Sequence, residues 1–414
     1  MNEHPIHLLL SDDLKRSRLT VFFRLLLALP HMVWLSLWGI IAFLAALLNW
    51  LLTLVTGRSP QWLHGFLARY VRYTIHVLAY LCLVANPFPG FLGGPGYPID
   101  VEIAPPARQN RWTVGFRLIL AVPALLLSAV LVQARVGSGA YVSSSLLGVT
   151  ALLAWFASLA RGRSSRGLRD AGAYALTYGA QCYGYLFLLS DRYPNSDPLR
   201  ALPGLPSRAD PIAIEVGDEL RRSRLTVFFR VLLAIPHYVW LTLWGLLALL
   251  VVIANWVSML VAGISPRPLH RFLAAYLRYW MHVSAYVYLI GNPFPGFSGR
   301  EGSYPVDLHV AERVRQGRWS VLLRLVLAVP ALLIAGTYGS LAATAAFLGW
   351  FAALFTGRMP LGLRNAGALA LRYTAQTYGY LALVSGAYPY SGPCAAVAVA
   401  PETPAMPSSP PLPG

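Results

Sequence analysis

The chain has 414 residues, of which 57% are hydrophobic and only 12% are charged, about half the charged fraction of an ordinary soluble protein. This composition excludes a disordered chain and an ordinary soluble globule, and it indicates a protein that uses the lipid bilayer as its solvent. The net charge is +17, from 33 basic and 16 acidic residues. Such a charge suits either nucleic acid or the anionic inner face of a membrane.

Motifs for cofactor chemistry or catalysis do not occur in the sequence. Cys82, Cys182 and Cys394 are too far apart in sequence to indicate a disulfide framework or a metal knuckle. The sequence also lacks a P-loop, a nucleophile elbow and a zinc-protease motif. The interpretation is a non-enzymatic protein with no metal and no cofactor.

Internal repeats divide the chain into four units. RSRLTVFFRLLLALPH at 16–31 returns as RSRLTVFFRVLLAIPH at 222–237, which marks a tandem duplication. Each half is itself double, because the pattern Arg-x5-Arg-x5-Pro occurs four times. The predicted boundaries are a first half 1–200 with units 1–96 and 97–196, a second half 201–393 with units 210–303 and 304–393, a linker 194–211, and a disordered proline-rich tail 394–414.

A short strand opens each unit. Apolar and polar residues alternate after a proline, which is typical of a strand with one solvated face. The predicted strands are 6–10, 99–103, 212–216 and 306–310. A strand of this length is unstable alone, so we expect all four to pair in one small extramembrane sheet.

A long apolar stretch follows the strand, at 18–56 in the first unit, and it exceeds the roughly 20 residues that one span needs. The second unit is interrupted at 133–139 and the fourth at 336–340. We therefore predict a helical hairpin in each unit, with turns near Trp38–Gly39 and Trp244–Gly245 in the other two.

The third segment, 61–85 in the first unit, is amphipathic. Arg69, Arg72, His76 and Tyr80 fall on one stripe, which suits a helix that lies in the membrane interface. The predicted fold class is thus mainly α: a polytopic membrane protein with four copies of strand, helical hairpin and interfacial helix.

Two crossings per unit give eight spans and keep nearly every arginine on one side, as the positive-inside rule favours. The expected location is the cell membrane, multi-pass, with both termini cytoplasmic. The alternative topology makes 61–85 and its equivalents spans.

Arginines at repeated positions are the candidate binding residues. Near the membrane boundary their planar donor forks suit the phosphate oxygens of anionic lipids or another anion. They are spread over four surface stripes rather than clustered in a soluble domain, which speaks against nucleic acid as partner. The candidates are Arg18, Arg24, Arg69, Arg72, Arg111, Arg117, Arg224, Arg230, Arg278, Arg318, Arg324 and Arg372.

Histidines distinguish the first and third units from the other two: His31, His64 and His76 return as His237, His270 and His282. His64 and His76 are about 18 Å apart along one helix, too far for a shared metal ion. His31 and His237 can meet only across a pseudo-twofold axis. Packing or interfacial histidines are the simpler interpretation.

The fourth unit combines Thr356-Gly357-Arg358-Met359-Pro360, Gly379-Tyr380 and Tyr388-Pro389-Tyr390 with the Arg-x5-Arg-x5-Pro helix. In this order the motifs resemble a bacterial membrane family, domain of unknown function 4389, and the resemblance extends over all four units. Units one and three depart at their ends, and Ile264 replaces the turn arginine in unit three. The resemblance implies a membrane protein and no established activity.

Three functions remain open from the sequence, of which the third, an enzyme or haem protein, requires His31 and His237 within ligand range of one another. The first is a structural or lipid-interacting role at the cytoplasmic leaflet, based on the repeated basic stripes. The alternative is a transporter or channel for a small molecule, lipid or anion, since many carriers are built from repeats.

Overall fold

The computed structural model describes residues 4–132, 145–202, 204–208, 210–217 and 219–396. Over these residues the chain is mainly helical, and the same order of strand, short helix, long apolar region and second long helix occurs four times. The helices, in chain order, are α1 (Arg18–Phe22), α2 (Arg24–Thr56), α3 (Gln61–Leu81), α4 (Arg111–Gly115), α5 (Arg117–Leu131), α6 (Leu146–Arg161), α7 (Arg166–Leu186), α8 (Arg224–Phe228), α9 (Arg230–Leu233), α10 (Ile235–Ala262), α11 (Arg267–Val287), α12 (Arg318–Leu322), α13 (Arg324–Thr356) and α14 (Leu361–Leu381).

The four predicted strands form at the predicted residues, with two further two-residue strands. They are β1 (Ile6–Leu10), β2 (Ile99–Ile103), β3 (Ser207–Arg208), β4 (Ile212–Val216), β5 (Val306–Val310) and β6 (Ala395–Ala396). β1 pairs antiparallel with β2, β4 antiparallel with β5, and β3 parallel with β6. The prediction of a single four-stranded sheet is therefore wrong, since the strands form separate two-stranded sheets. The reason is that each antiparallel pair packs on the inner helices of its own half.

The predicted helical hairpin does not form in units one, three and four. α2 and α13 are continuous helices of 33 residues, and α9 and α10 are separated only at Ala234. Gly39 lies inside α2, where a Cβ atom would approach the Tyr70 hydroxyl to 3.1 Å. Gly245 leaves the same space for the Tyr276 hydroxyl. These glycines serve helix packing rather than a turn, and Gly336 and Gly339 likewise lie inside α13.

In unit two the long apolar region is divided into α5 and α6. The turn predicted at 133–139 lies outside the described residues. We call α2, α5 with α6, α9 with α10, and α13 the long helices, and α3, α7, α11 and α14 the inner helices.

The inner helices form the middle layer of the molecule. Each packs against a long helix of its unit on one side and against a strand on the other: β2 on α3, β1 on α7, β5 on α11 and β4 on α14. The strands are thus exchanged within each half, because β1 of unit one lies on the inner helix of unit two. The apolar core lies within this layer, where Tyr73, Tyr174 and Tyr373 are fully buried.

The inner helices, predicted to lie in the membrane interface, are largely covered by other parts of the protein. They are buried between the other two layers, and seventeen of the twenty-one residues of α7 are buried. The basic stripe is covered by the strands and loops of the protein itself, since the Arg72 guanidinium lies 3.1 Å from both Val101 O and the Asp100 carboxylate. Amphipathicity here reflects an internal polar contact.

The two halves meet through their even-numbered units. α13 packs against α5 and α6, and the buried Asp170 carboxylate accepts a 2.6 Å hydrogen bond from the Tyr390 hydroxyl. Asn365 donates to Asp197 at 3.0 Å across the same interface. Residues 397–414, most of the predicted disordered tail, lie outside the described residues.

Gly93 offers a test of the loop that follows α3. It has a φ of +61°, and an added Cβ would lie 2.6 Å from the Arg69 carbonyl oxygen. We expect Gly93→Ala to lower the free energy of unfolding by about 2–3 kcal/mol, because both backbone strain and a backbone clash oppose the methyl group. Gly90→Ala, whose Cβ meets nothing within 4 Å, should change it by less than about 0.5 kcal/mol. Equal unfolding midpoints for the two variants would show that the loop relaxes freely.

Candidate functional site

The first arginine of each motif begins a short helix and reaches the end of a long helix in the other unit of its half. Arg18 donates to Ala160 O at 3.1 Å, Arg224 to Phe355 O at 3.1 Å, and Arg318 to Val261 O at 3.0 Å. Arg111 lies beside Gly57 at the end of α2. A cation at this position satisfies terminal carbonyl groups and complements the negative end of the helix dipole.

The repeated tryptophans make the reciprocal contact. Each indole N–H of a long helix donates to a carbonyl of a short helix in the other unit of its half. The four bonds are Trp50 to Val114 O, Trp155 to Val21 O, Trp256 to Val321 O and Trp350 to Val227 O. The start of unit one therefore contacts the end of the long helix of unit two, and the reverse also holds, so the two units contact each other head to tail. Units three and four are related in the same way. The long helices of paired units therefore begin at opposite ends of each half.

This reciprocal arrangement places exposed cations together where each long helix ends. Isolated antiparallel β-bridges oppose Arg58 to Arg108, Lys15 to Arg163, and Arg221 to Arg358, and all six residues are exposed. We call these places, each with its first motif arginine, the basic junctions. Residues opposed across such a bridge have Cβ atoms about 5 Å apart, so the like charges repel each other.

Within the described part of the chain, none of these six cations lies within ion-pair distance of a carboxylate. Two exposed basic side chains on opposed residues are an arrangement that a phosphate or carboxylate group stabilises. The fourth junction differs: Arg315 and Arg318 are present, but Ile264 replaces the turn arginine.

The second arginine of each motif is buried. Arg24, Arg117, Arg230 and Arg324 are at most 2% exposed. Arg24 donates to Tyr80 O at 2.6 Å and to Ala85 O at 3.0 Å, and its guanidinium stacks on the Tyr80 ring at 4.4 Å. The other three stack on the equivalent Tyr185, Tyr286 and Tyr380 at 3.9–4.4 Å. These arginines close the C-terminal ends of the inner helices and do not face lipid.

The remaining candidates are the arginines of the inner helices. Arg72, Arg278 and Arg372 bind internal oxygen atoms: Arg278 donates to Leu308 O at 3.0 Å, and Arg372 donates to the Tyr390 and Gly392 carbonyls. Arg69 is exposed. The sequence did not separate the exposed arginines from the internal ones. Its candidates did not include Lys15, Arg58, Arg108, Arg163, Arg221 and Arg358, which the structure opposes in exposed pairs.

The unit-specific histidines bind partners within their own half. His31 and His237 contact the hydroxyls of Tyr73 and Tyr279 at 2.7 and 2.8 Å, and His76 and His282 contact Asp100 and Asp307 at 3.0 and 2.8 Å. Burial lowers the pKa of His76. Burial alone raises the pKa of Asp307, but hydrogen bonds from His282 and two backbone N–H groups outweigh it and lower the pKa. The described residues contain no group of three potential metal ligands.

A large open cavity lies between the two halves. It has a volume of about 1260 Å³ and is lined by β1, α5, α7, the linker after residue 191, and the C-terminal part of α13. It therefore touches the strand layer, the inner layer and the long-helix layer. A smaller cavity of about 290 Å³ is also lined by His4 and His7, together with Arg72 and Glu102.

The long-helix surface defines the class of protein. In the described part of the chain, three helical segments are long and apolar enough to cross a membrane: Arg24–Thr56, Arg230–Ala262 (α9 with α10) and Arg324–Thr356. Their large apolar side chains are widely exposed, as at Leu25, Ile40 and Phe355. An exposed apolar surface of this extent indicates a membrane protein, here built from four tandem units.

The comparison with protein families makes the assignment specific. The model of the family described as Domain of unknown function (DUF4389) matches residues 18–92, 111–196, 224–298 and 318–391, about three quarters of the chain. The chain belongs to this family and contains four copies of its domain. Comparison with curated proteins and with solved structures gave no match.

Proposed function

We propose that this protein is a structural, lipid-binding component of the cytoplasmic leaflet of the cell membrane, with both termini cytoplasmic. In this proposal the long helices lie in the plane of the leaflet, and the basic junctions bind anionic headgroups. The observation that carries it is the presence of exposed basic residues at both ends of the long helices. A helix that lies in the plane keeps both ends on one side of the membrane, as the positive-inside rule favours.

The length of the long helices supports an in-plane position. Thirty-three residues span about 50 Å, whereas the hydrocarbon core of a bilayer is about 30 Å thick. A crossing helix of this length has to tilt strongly or leave several turns of apolar side chains in the headgroup region. A helix lying in the leaflet has no such mismatch.

The strand layer supports the same position. The exposed ion pair His7–Glu102 lies on the β1–β2 sheet, and His309 with Glu301 forms an exposed pair beside β5. These sheets run along the inner helices, so long helices that crossed the membrane would hold the charges at hydrocarbon depth, where ionised groups are costly. With the long helices in the leaflet, the strand layer faces water.

The alternative is a multi-pass protein whose long helices cross the bilayer. Transport of a small molecule, lipid or anion requires this topology. The cavity between the halves is the observation that favours transport, because carriers built from repeats bind substrate at the repeat interface. Helices confined to one leaflet do not line a path across the bilayer. The topology of α2 therefore distinguishes the two functions.

Neutralising one basic junction tests the lipid-binding role. We expect Arg58→Gln/Arg108→Gln to reduce the preference of that site for an anionic headgroup by about 30-fold, because each basic group near the surface contributes about 1 kcal/mol. The measurement is native mass spectrometry of protein released from nanodiscs containing phosphatidylglycerol and phosphatidylcholine, counting each lipid retained. The matched control is Arg271→Gln/Arg300→Gln, which removes the same charge from exposed positions outside the junctions.

Unit three, where Ile264 replaces the turn arginine, allows the opposite substitution, which adds a charge instead of removing one. Ile264→Arg restores the missing cation beside Arg315 and Arg318, and it should add one retained phosphatidylglycerol per protein. Equal losses in the junction and control variants, with no gain from Ile264→Arg, would mean that net charge and not the junctions attracts the lipid.

A further inference from the structure

A further cavity lies among the helices of the second half. It has a volume of about 470 Å³ and lies between α10 and α13, with residues of α11 and α14 lining its inner side. We call it the groove. Leu332 and Gly336 of α13 line it and are exposed, so it opens on the long-helix surface. That surface contacts hydrocarbon whether the long helices lie in one leaflet or cross the bilayer, so a ligand enters the groove from the membrane.

The groove contains hydroxyl groups but no charge. Tyr238, Ser284, Tyr288 and Tyr378 line it, and its lining includes no acidic, basic or histidine side chain. None of these four hydroxyls forms a hydrogen bond within the described part of the chain. Tyr238 and Tyr378 interact electrostatically with Tyr288, so the three phenol groups lie near one another. Hydrogen-bonding capacity without charge suits an uncharged ligand that has oxygen atoms.

Two glycines of α13 leave a flat surface in the groove. A Cβ atom at Gly336 or Gly339 would meet nothing within 4 Å, so both glycines face open space rather than a neighbouring helix. Without side chains, the helix presents its backbone to whatever fills the groove. Trp280 of α11 and Tyr378 of α14 also line the groove, with ring centroids 5.0 Å apart. A bare helix surface and aromatic rings both give a large contact area to a flat ring.

The corresponding place in the first half is filled by side chains. There Val132 replaces Gly339, and Cys82 replaces Tyr288. Both residues are buried in the apolar core of that half. Val132 lies against α7, since a Cβ atom at Gly179 would be 3.1 Å from Cγ2 of Val132. Within the described residues, the groove is therefore a property of the second half and not of the repeated fold.

We infer that the groove binds one uncharged lipid with a flat ring that carries oxygen atoms, the chemistry of a membrane quinone. The ring packs on Gly336 and Gly339, its oxygen atoms accept hydrogen bonds from the tyrosine hydroxyls, and its hydrocarbon tail extends into the membrane. The groove falls within the roughly 300–1,000 Å³ of ordinary small-molecule pockets. The inference goes beyond the proposed function, because it concerns another surface than the basic junctions and holds for either topology of the long helices.

The test compares the binding of geranyl naphthoquinone with that of geranyl naphthalene, which has the same ring system and tail but lacks the oxygen atoms. Native mass spectrometry on the delipidated full chain counts the molecules bound. We expect one bound naphthoquinone, held about 10-fold more tightly than the naphthalene, as one net hydrogen bond predicts. Tyr238→Phe/Tyr288→Phe keeps both aromatic rings and should abolish this preference.

Filling the groove is the second arm of the test. Gly339→Val introduces the residue of the first half, and Gly336→Leu fills more of the space. Both variants should lose binding of the naphthoquinone while their unfolding midpoint stays the same or rises, because glycine is unfavourable inside a helix. The matched control is Gly65→Val in α3, outside the groove, where a Cβ atom also meets nothing within 4 Å. It should bind as the wild type does.

Three results would overturn the inference. The first is equal affinity of the wild type for the naphthoquinone and the naphthalene, and the second is unchanged binding by Gly339→Val and Gly336→Leu. The third is full displacement of the naphthoquinone by an equal concentration of dilauroylphosphatidylcholine, since the groove would then hold an ordinary acyl chain. Retention of phosphatidylglycerol at the basic junctions is measured with other variants, so failure of the proposed function is distinguished from failure of this inference.

Discussion

Replacing Arg24 with alanine is expected to lower the free energy of unfolding by about 3–5 kcal/mol. The substitution removes hydrogen bonds to the Tyr80 and Ala85 carbonyls, the packing of the guanidinium on the Tyr80 ring, and a cation at the end of α3. The carbonyl oxygens remain buried, so their lost partners are not replaced by water.

The control is Arg18→Ala, which removes an exposed side chain with one hydrogen bond, to Ala160 O. We expect that change to cost about 1 kcal/mol or less. Arg24→Lys should fall between the two, because an ammonium group cannot provide both the planar donor fork and the ring stacking. The measurement is the unfolding transition of the purified protein in detergent, followed by tryptophan fluorescence. Equal destabilisation by Arg18→Ala and Arg24→Ala would contradict the structural role assigned to the second arginine.

The four buried arginines explain why the motif repeats so strictly. Each lies at the start of a long helix and holds the end of the inner helix of the same unit, where a leucine in the left-handed conformation turns the chain: Leu83, Leu188, Leu289 and Leu383. In units one and three Arg16 and Arg222 bind the carbonyl of that leucine, and in units two and four Gln109 and Gln316 do so. The motif therefore has a structural role, because it joins the start of each long helix to the end of the inner helix.

Local patterns in the sequence predicted the strands well. The four five-residue strands begin and end where the alternation does, because a strand with one buried face leaves a period of two in the sequence. The repeated arginine motif coincides with the start of each short helix, as at Arg18 and Arg224, but the sequence did not predict those helices.

The sequence did not distinguish a turn glycine from a packing glycine. Gly39 follows Trp38 in the middle of a long apolar stretch, which is also the composition expected of a hairpin turn. The decisive contact is with Tyr70, 31 residues later, and no local pattern contains it. The same limit applies to the inner helices, since hydropathy shows that Arg72 is polar but not that Asp100 of a later strand covers it.

The basic junctions were missed for a related reason. Arg58 and Arg108 become neighbours only because units one and two clamp each other head to tail through Trp50 and Trp155. The turn arginine was visible as a repeat, but its partner lies in the next unit. The exchange between units is a tertiary property, so the sequence predicted neither the pairing nor the junction residues themselves.

The position of α2 in the membrane determines which of its residues contact water on each side of the bilayer. The two ends of α2 are about 50 Å apart by helix rise. Ser17, just before α1, and Arg58, just after α2, are exposed, and Ile40 is exposed in the middle of α2. If α2 lies in the cytoplasmic leaflet, both ends contact water on the cytoplasmic side and Ile40 contacts hydrocarbon. If α2 crosses the membrane, its two ends lie on opposite sides.

The most direct test is labelling of single cysteines by a membrane-impermeant maleimide, in intact cells and in inside-out vesicles. The background protein has Cys82, Cys182 and Cys394 replaced by alanine, and the variants are Ser17→Cys, Arg58→Cys, Ile40→Cys and, on the strand layer, Glu102→Cys. We predict labelling at 17, 58 and 102 from the cytoplasmic side only, and none at 40. Labelling of positions 17 and 58 from opposite sides of the membrane would contradict the in-plane arrangement and favour the multi-pass alternative.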